Sequence, residues 1–171
     1  MQRKRLAGLI LILLSVFVVL VSAFVYQQAS QSTSQTIVEV ASLTLNNAAL
    51  GNIEEGETIL YTPANTSAVN NILSVTTTKA SVYLHFDTDL DAQSGNYNTY
   101  QIAVVVDTAP VGSSLSGTVA TLTIGSPDTG SGIALDVAGT YVFDFQVTTN
   151  AKSVSGNQAT TVNITVTAES T

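Results

Sequence analysis

Apolar and polar residues alternate along most of the chain from Ile37 onward, and this pattern predicts β-strands. Apolar side chains stand at every second position of the clearest runs, and no helical periodicity longer than two turns occurs there. Clusters of Gly, Asn, Ser, Asp and Pro separate the runs and predict turns. The predicted inward-facing sets are Val82, Leu84 and Phe86; Ile102, Val104 and Val106; Ala120, Leu122 and Ile124; Tyr141, Phe143, Phe145 and Val147; and Val162, Ile164 and Val166.

Two weaker runs, at residues 58–61 and 72–76, bring the expected number of strands to about eight. Many short strands with frequent turns and no helices between them are typical of an antiparallel β-sandwich. The sequence Asp136-Val-Ala-Gly139-Thr-Tyr141-Val-Phe143 resembles the tyrosine corner of immunoglobulin-like domains, in which a tyrosine hydroxyl bonds to the chain upstream. We therefore predict an all-β fold over residues 37–171, an antiparallel β-sandwich of the Ig-like or jelly-roll kind.

An apolar segment at residues 6–26 follows a cationic head that contains Arg3, Lys4 and Arg5. As a helix, its 21 residues span about 30 Å, the thickness of the hydrocarbon core of a membrane. We predict that residues 1–26 are a signal peptide or one hydrophobic N-terminal helix, with residues 6–26 in contact with the membrane. The cationic head predicts that the rest of the chain is extracellular or at the cell surface.

Three interpretations of this segment stay open. A secretory signal peptide would be cleaved between Ala23 and Phe24, after a run of small residues. A signal anchor would remain uncleaved, because the apolar run continues to Tyr26. A prepilin-type leader would be cut after the basic residues and would leave the helix in place. The sequence Lys4-Arg5-Leu6-Ala7-Gly8-Leu9 resembles the start of archaeal prepilins, although it has no small residue directly after the basic cluster.

A polar segment at residues 27–36 (QQASQSTSQT) connects the apolar segment to the β domain. It contains no hydrophobic residue larger than alanine, so we predict a flexible linker. The composition then changes at once to β-branched and aliphatic residues, which predicts a strand at residues 37–45. The apolar side chains of that strand are Ile37, Val38, Val40, Leu43 and Leu45.

The composition excludes most kinds of reaction centre. Cysteine is absent and His85 is the single histidine, so disulfides, zinc-thiolate sites and multi-histidine sites have no ligands. Outside the first five residues, two lysines stand against twelve carboxylates, so we expect no nucleic-acid partner. No phosphate-binding loop, nucleophile elbow or zinc-protease motif occurs. We therefore expect no enzymatic activity and no resident cofactor.

Asp87, Asp89 and Asp91 form the one motif with metal-ligating residue types. Alternate positions on a strand share a face and lie about 6–7 Å apart. The spacing resembles the opening of an EF-hand loop, but Ala92 stands where that loop requires glycine and Asn98 stands where its bidentate glutamate belongs. An EF-hand is excluded, and two interpretations remain, a looser calcium site at a strand end and a solvated acidic turn.

Two glycosylation sequons occur, at Asn65-Thr66-Ser67 and at Asn163-Ile164-Thr165. In an exported chain we expect Asn65 and Asn163 to be glycan sites. The β domain also has few of the charged residues that usually keep strand edges from pairing with other chains. Without those charges, the strand edges of a monomer are prone to unwanted pairing with other chains, whereas a polymer can use such pairing for its assembly.

The basic head, the apolar helix, the Gln/Ser/Thr linker and the cysteine-free β domain together resemble archaeal extracellular filament subunits. Two families are similar, the bundling pilins and thread subunits related to the bacterial TasA biofilm fibre, and the archaeal type IV pilins. The first resemblance implies that the signal peptide is removed and that residues 24–45, with 37–45 as the donor strand, insert into a neighbouring copy of the chain. The second implies assembly through the N-terminal helix.

We expect the donor-strand subunit, because the signal peptide cleavage site matches better than the prepilin site. Its function would be a head-to-tail filament for adhesion or biofilm formation. An uncleaved chain would instead be a single-pass surface protein, of a cell or a virion, that presents an Ig-like binding domain.

Overall fold

A computed structural model describes residues 39–170, and the predictions made for residues 1–38 lie outside this part of the chain. The described part contains nine strands and two short 3-10 helices, at Ser67–Val69 and Leu90–Gly95. None of its helices has the length and hydropathy that a membrane span needs. The strands are β1 (Ala41–Leu45), β2 (Thr58–Tyr61), β3 (Leu73–Thr77), β4 (Val82–Thr88), β5 (Tyr97–Thr108), β6 (Gly117–Thr123), β7 (Ile133–Leu135), β8 (Gly139–Ala151) and β9 (Ile164–Ser170).

The strands form two antiparallel sheets that pack together as a sandwich. The larger sheet has six strands in the order β1-β3-β8-β5-β6, and β2 pairs with β8 on the same edge as β3. The smaller sheet has three strands in the order β7-β4-β9. The predicted antiparallel β-sandwich is therefore confirmed as two packed antiparallel sheets.

The core lies between the two sheets and follows the predicted alternation most closely in β4 and β8. The three apolar positions of β4 are buried, and so are the four of β8. Ile102, Val104 and Leu122 are buried as well. The predicted inward residues of β9 are only half-buried, because this strand lies at the edge of the smaller sheet and has a paired neighbour on one side alone.

The strand limits differ from the sequence predictions at several points, and one strand was not predicted. Strand β3 runs over Leu73–Thr77 instead of residues 72–76, and Ile124 lies beyond the end of β6. The strand predicted at residues 37–45 enters its ladder at Ala41, where pairing with β3 begins. Val162 precedes β9 and lies outside the strand. Strand β7 was not predicted, because three residues are too few to show an alternation.

A cluster of hydrogen bonds ties the loop after β5 to the start of β8. The hydroxyl of Tyr141 donates to the carbonyl oxygen of Val137 at 2.8 Å and accepts from the amide of the same residue at 3.0 Å. The neighbouring carboxylate of Asp136 accepts from the hydroxyl of Ser113 at 2.5 Å and from the amide and hydroxyl of Ser114 at 2.6 and 2.7 Å. These hydrogen bonds hold the pKa of Asp136 well below its usual range.

Candidate functional site

The smaller sheet has a free edge at β9. One side of β9 pairs with β4 along its whole length, and no described strand pairs with the other side. Ile164, Val166 and Ala168 point toward the core but remain half-buried. The unpaired backbone groups and the half-covered apolar side chains of this edge are therefore both open to an added strand.

The larger sheet extends beyond the part that the smaller sheet covers. Leu43 and Leu45 of β1 lie directly opposite Val75 and Leu73 of β3, and such pairs share one face of a sheet. Val75 and Leu73 are fully buried in the core, whereas Leu43 is 38% exposed and Leu45 is 39% exposed. The inner face of β1 is thus apolar and only partly covered.

Next to Leu45 the uncovered surface deepens into a cavity of about 790 Å³. Its floor is the inner face of the larger sheet, and the segments 45–51 and 160–165 also line it. The volume is within the range of ordinary binding sites. Together, the inner face of β1, the free edge of β9 and this cavity form a feature that we call the edge groove. The floor residues of its cavity are Ile72, Ile102, Phe145, Val147 and Thr149.

Polar side chains line several sides of the cavity, namely asparagines and threonines of the segments 45–51 and 160–165, and Thr149 with three tyrosines. Thr149 is 3% exposed, and its hydroxyl has no hydrogen-bond partner within residues 39–170. The rings of Tyr97 and Tyr100 meet edge to face, with centroids 5.0 Å apart, and the hydroxyl of Tyr97 lies 2.9 Å from that of Thr160. Burial, with a smaller contribution from the neighbouring Tyr97 and Tyr61, raises the pKa of Tyr100 to about 12. The cavity is therefore lined by uncharged residues, with a largely apolar floor and hydroxyl and amide side chains around it.

The residues predicted for polymerisation occupy two different places. Leu43 and Leu45 belong to β1, which pairs with β3 of the same chain, and they line the edge groove. The carbonyl oxygen of Val40 accepts a hydrogen bond from the amide of Thr78 at 3.0 Å. Ile37 and Val38, and the predicted cleavage site at Ala23 and Phe24, lie outside the described residues.

The structure does not bring the three aspartates of the predicted calcium motif together. Asp87 lies on β4 opposite Thr165. The carboxylate of Asp89 accepts from Asn163, and that of Asp91 accepts from the amide of Gly125 at 2.6 Å. Within residues 39–170, no group of three or more His, Asp or Glu residues is placed to hold a metal ion.

Both sequon asparagines are exposed, and hydrogen bonds hold both side-chain amides. The amide nitrogen of Asn65 donates to the carbonyl oxygen of Leu60 at 2.7 Å. The amide nitrogen of Asn163 donates to the carboxylate of Asp89 at 2.6 Å, and its backbone N–H donates to the same carboxylate at 2.8 Å. Asn163 also lines the cavity, so a glycan there would stand at the edge groove.

The edge groove was not predicted from the sequence. Its tyrosines, Tyr61, Tyr97 and Tyr100, come from two strands that the topology places on opposite sides of β8. The alternation in β1 and β9 identifies which side chains face inward. It carries no information about whether another strand covers them.

Comparison with known proteins assigns no family to this chain. No protein-family model matches the sequence, and a search of curated proteins returns no match.

Proposed function

We propose that this chain is the structural subunit of an extracellular filament that polymerises head-to-tail by donor-strand complementation, for adhesion or biofilm formation. The observation that carries the proposal is the edge groove. Strands β1 and β9 approach each other at one edge of the sandwich, where one side of β9 pairs with no described strand and Leu43 and Leu45 of β1 are partly exposed. An added strand would pair with the backbone of β9 and bury Leu43 and Leu45.

The chemistry of the edge groove favours an extended peptide over a small molecule. Strand β9 has seven residues, a length of about 23 Å at the rise of a strand, and the N–H and C=O groups of every second residue point to its free side. A second copy of the chain is the occupant we propose, because each copy would carry both a groove and an N-terminal segment. The contact is then heterologous, and a heterologous contact that does not close builds a fibre.

We further propose that the sandwich is Ig-like. The hydroxyl of Tyr141 bonds to the backbone of Val137, four residues upstream, which is the hydrogen bond that defines a tyrosine corner. This detail, with the organisation of the whole sequence, supports membership of the archaeal bundling-pilin and thread group. The proposed location is the cell surface, after removal of the signal peptide.

Substitution of Leu45 by aspartate tests the proposed function. In a free subunit the new carboxylate reaches water, because position 45 is 39% exposed. In a filled groove it would be buried without a partner, which is costly. We expect L45D to be exported and folded but not to form filaments, as judged by electron microscopy and sedimentation of material released from the cell surface.

Leu60→Asp is the matched control. Leu60 is also an apolar residue of the larger sheet and is 52% exposed, but it does not line the cavity. We expect L60D filaments of normal length and number. Normal filaments from L45D would refute polymerisation through the edge groove.

A further inference from the structure

The most exposed large apolar residue of the described chain is Val111, in the loop between β5 and β6. Val111 is fully exposed, whereas Leu60, the next in order, is 52% exposed. Single exposed apolar residues are common on protein surfaces. Val111 differs from such residues in two respects, because its turn is held rigidly and because it lies at the opposite end of the sandwich from the cavity.

Hydrogen bonds hold this turn in one shape. The amide of Ser113 donates to the carbonyl oxygen of Pro110 at 3.0 Å, which closes the turn around Val111. The carboxylate of Asp136 accepts the hydrogen bonds from Ser113 and Ser114 and fixes the turn to the start of β8. We call residues 109–115 the Val111 turn. A turn held in this way loses little conformational freedom when it docks, so contact through it costs little entropy.

The Val111 turn lies at one end of β8, and the cavity lies toward the other. Pro110 packs on Gly139, the first residue of β8, so closely that a Cβ atom at Gly139 would lie 2.7 Å from the Cγ atom of Pro110. Thr149 lines the cavity, and so does Tyr97, which pairs with Ala151 at the other end of β8. Strand β8 has 13 residues, a length of about 40 Å. The turn and the cavity therefore belong to opposite ends of the sandwich.

The segment that the proposed function donates joins the sandwich at the same end as the Val111 turn. Ala41 begins β1 opposite Thr77, and Thr77 pairs with Gly139. After cleavage at Ala23, residues 24–40 precede β1. If seven of them lie along β9, the remaining ten or so reach at most about 35 Å. A donated strand therefore keeps the Val111 end of its own subunit close to the cavity end of the acceptor.

The turn and the cavity also match in chemistry. The Val111 turn (APVGSSL) contains no charged residue, and none of the described residues that line the cavity is charged. Docking one into the other would therefore remove no lining charge from water. Apolar residues of the cavity walls that are exposed or half-buried can contact the valine, namely Ala48, Ala49, Leu50, Val162 and Ile164.

We infer that the Val111 turn of one copy docks in the cavity of the next, as a second contact of the filament beside the donated strand. The inference rests on the proposed function, because strand donation brings the two ends together. The contact is heterologous, since every copy carries one turn and one cavity, and it repeats along the fibre without closing. All subunits then point the same way along the fibre.

A pair of cysteines tests this contact, because the chain contains no cysteine of its own. Filaments of the full chain carry Val111→Cys together with Ala49→Cys or Val162→Cys, one on each wall of the cavity. They are treated with a short thiol-specific cross-linker. We expect a ladder of multimers on a denaturing gel. The matched control is Val111→Cys with Leu60→Cys, because Leu60 is exposed but does not line the cavity.

A ladder from either cavity pair that the control pair does not give supports the inference. A dimer band without higher multimers would overturn it, because such a band indicates that two turns meet each other. Filaments that give no cross-linked band with either cavity pair would overturn it as well.

Val111→Asp tests the contribution of the contact to assembly. We expect V111D subunits to fold, because position 111 is fully exposed. The concentration of unassembled subunit should rise about tenfold or more, because a carboxylate would enter an uncharged cavity. Leu60→Asp should leave that concentration unchanged. Normal assembly of V111D, together with loss of assembly in L45D, would overturn the inference and leave strand donation standing. Normal assembly of both variants would overturn both the inference and the proposed function.

Discussion

Assembly should depend on the two leucines that β1 leaves uncovered. The perturbation is the double substitution Leu43→Ala and Leu45→Ala, which removes three carbon atoms from each side chain. Leu43 is 38% exposed and Leu45 is 39% exposed in the free subunit. At about 0.8 kcal/mol per buried methylene, the exposed part of each leucine adds about 0.9 kcal/mol when a donated strand covers it. The pair then contributes about 1.8 kcal/mol to each subunit contact, or about twentyfold in the association constant.

The assay is the concentration of unassembled subunit that remains at equilibrium, measured by sedimentation after filaments are dissociated and reassembled. We expect this concentration to rise about twentyfold in the double variant. The part of each leucine that is already buried contributes to folding, so the thermal midpoint of the free subunit is measured in parallel to confirm that the variant is folded.

Leu60→Ala is the control for a general loss of apolar surface, because Leu60 is 52% exposed and lies away from the cavity. It should leave the equilibrium subunit concentration unchanged. An equal rise in the control and the double variant would refute the idea that assembly buries β1. An unchanged concentration of unassembled subunit in a folded double variant would refute the same idea.

Two further predictions concern the free subunit. Thr77 is 3% exposed, and its hydroxyl has no hydrogen-bond partner in the described part of the chain. Thr77→Val should therefore stabilise the fold by about 1–3 kcal/mol, and a lower thermal midpoint would contradict this. Asp136→Asn should lower the thermal midpoint at neutral pH, because the carboxylate accepts three hydrogen bonds from Ser113 and Ser114. The folded pKa of Asp136 lies below its unfolded value, so its contribution is complete above about pH 4 and is lost as the pH falls further. The difference between wild type and D136N should therefore narrow in acid, and a constant difference would contradict the assigned cause.

The sequence predicts best those strands in which apolar and polar residues alternate without interruption. In β4 and β8 every predicted inward residue is buried, because these strands are central in their sheets and alternate without interruption. The tyrosine corner was also recognisable, since its geometry is set within six residues of chain. Local pattern and final structure agree in β4 and β8 because each has paired neighbours on both sides and its apolar face is fully covered by the opposite sheet.

The candidate site could not be predicted in the same way. Leu43, Leu45 and Ile164 have the alternation of ordinary core residues, and their partial exposure follows only from the end of the smaller sheet at β9. Thr149 likewise looks like one polar position in a threonine-rich strand. Its buried, unpartnered hydroxyl depends on the packing of segments far apart in sequence. The sequence therefore predicted strand donation by resemblance, whereas the place that would receive the strand depends on tertiary structure.

The central claim is that subunits polymerise through an N-terminal segment that cleavage sets free. The most direct measurement is the mature N-terminus of subunits released from surface filaments, by intact mass and terminal sequencing. We expect a first residue at Phe24, with residues 1–23 removed. A start near Leu6 would instead identify a pilin assembled through its apolar helix, and an intact Met1 would identify an anchored surface protein. Either of these results would contradict assembly by donation of the segment that follows the signal peptide.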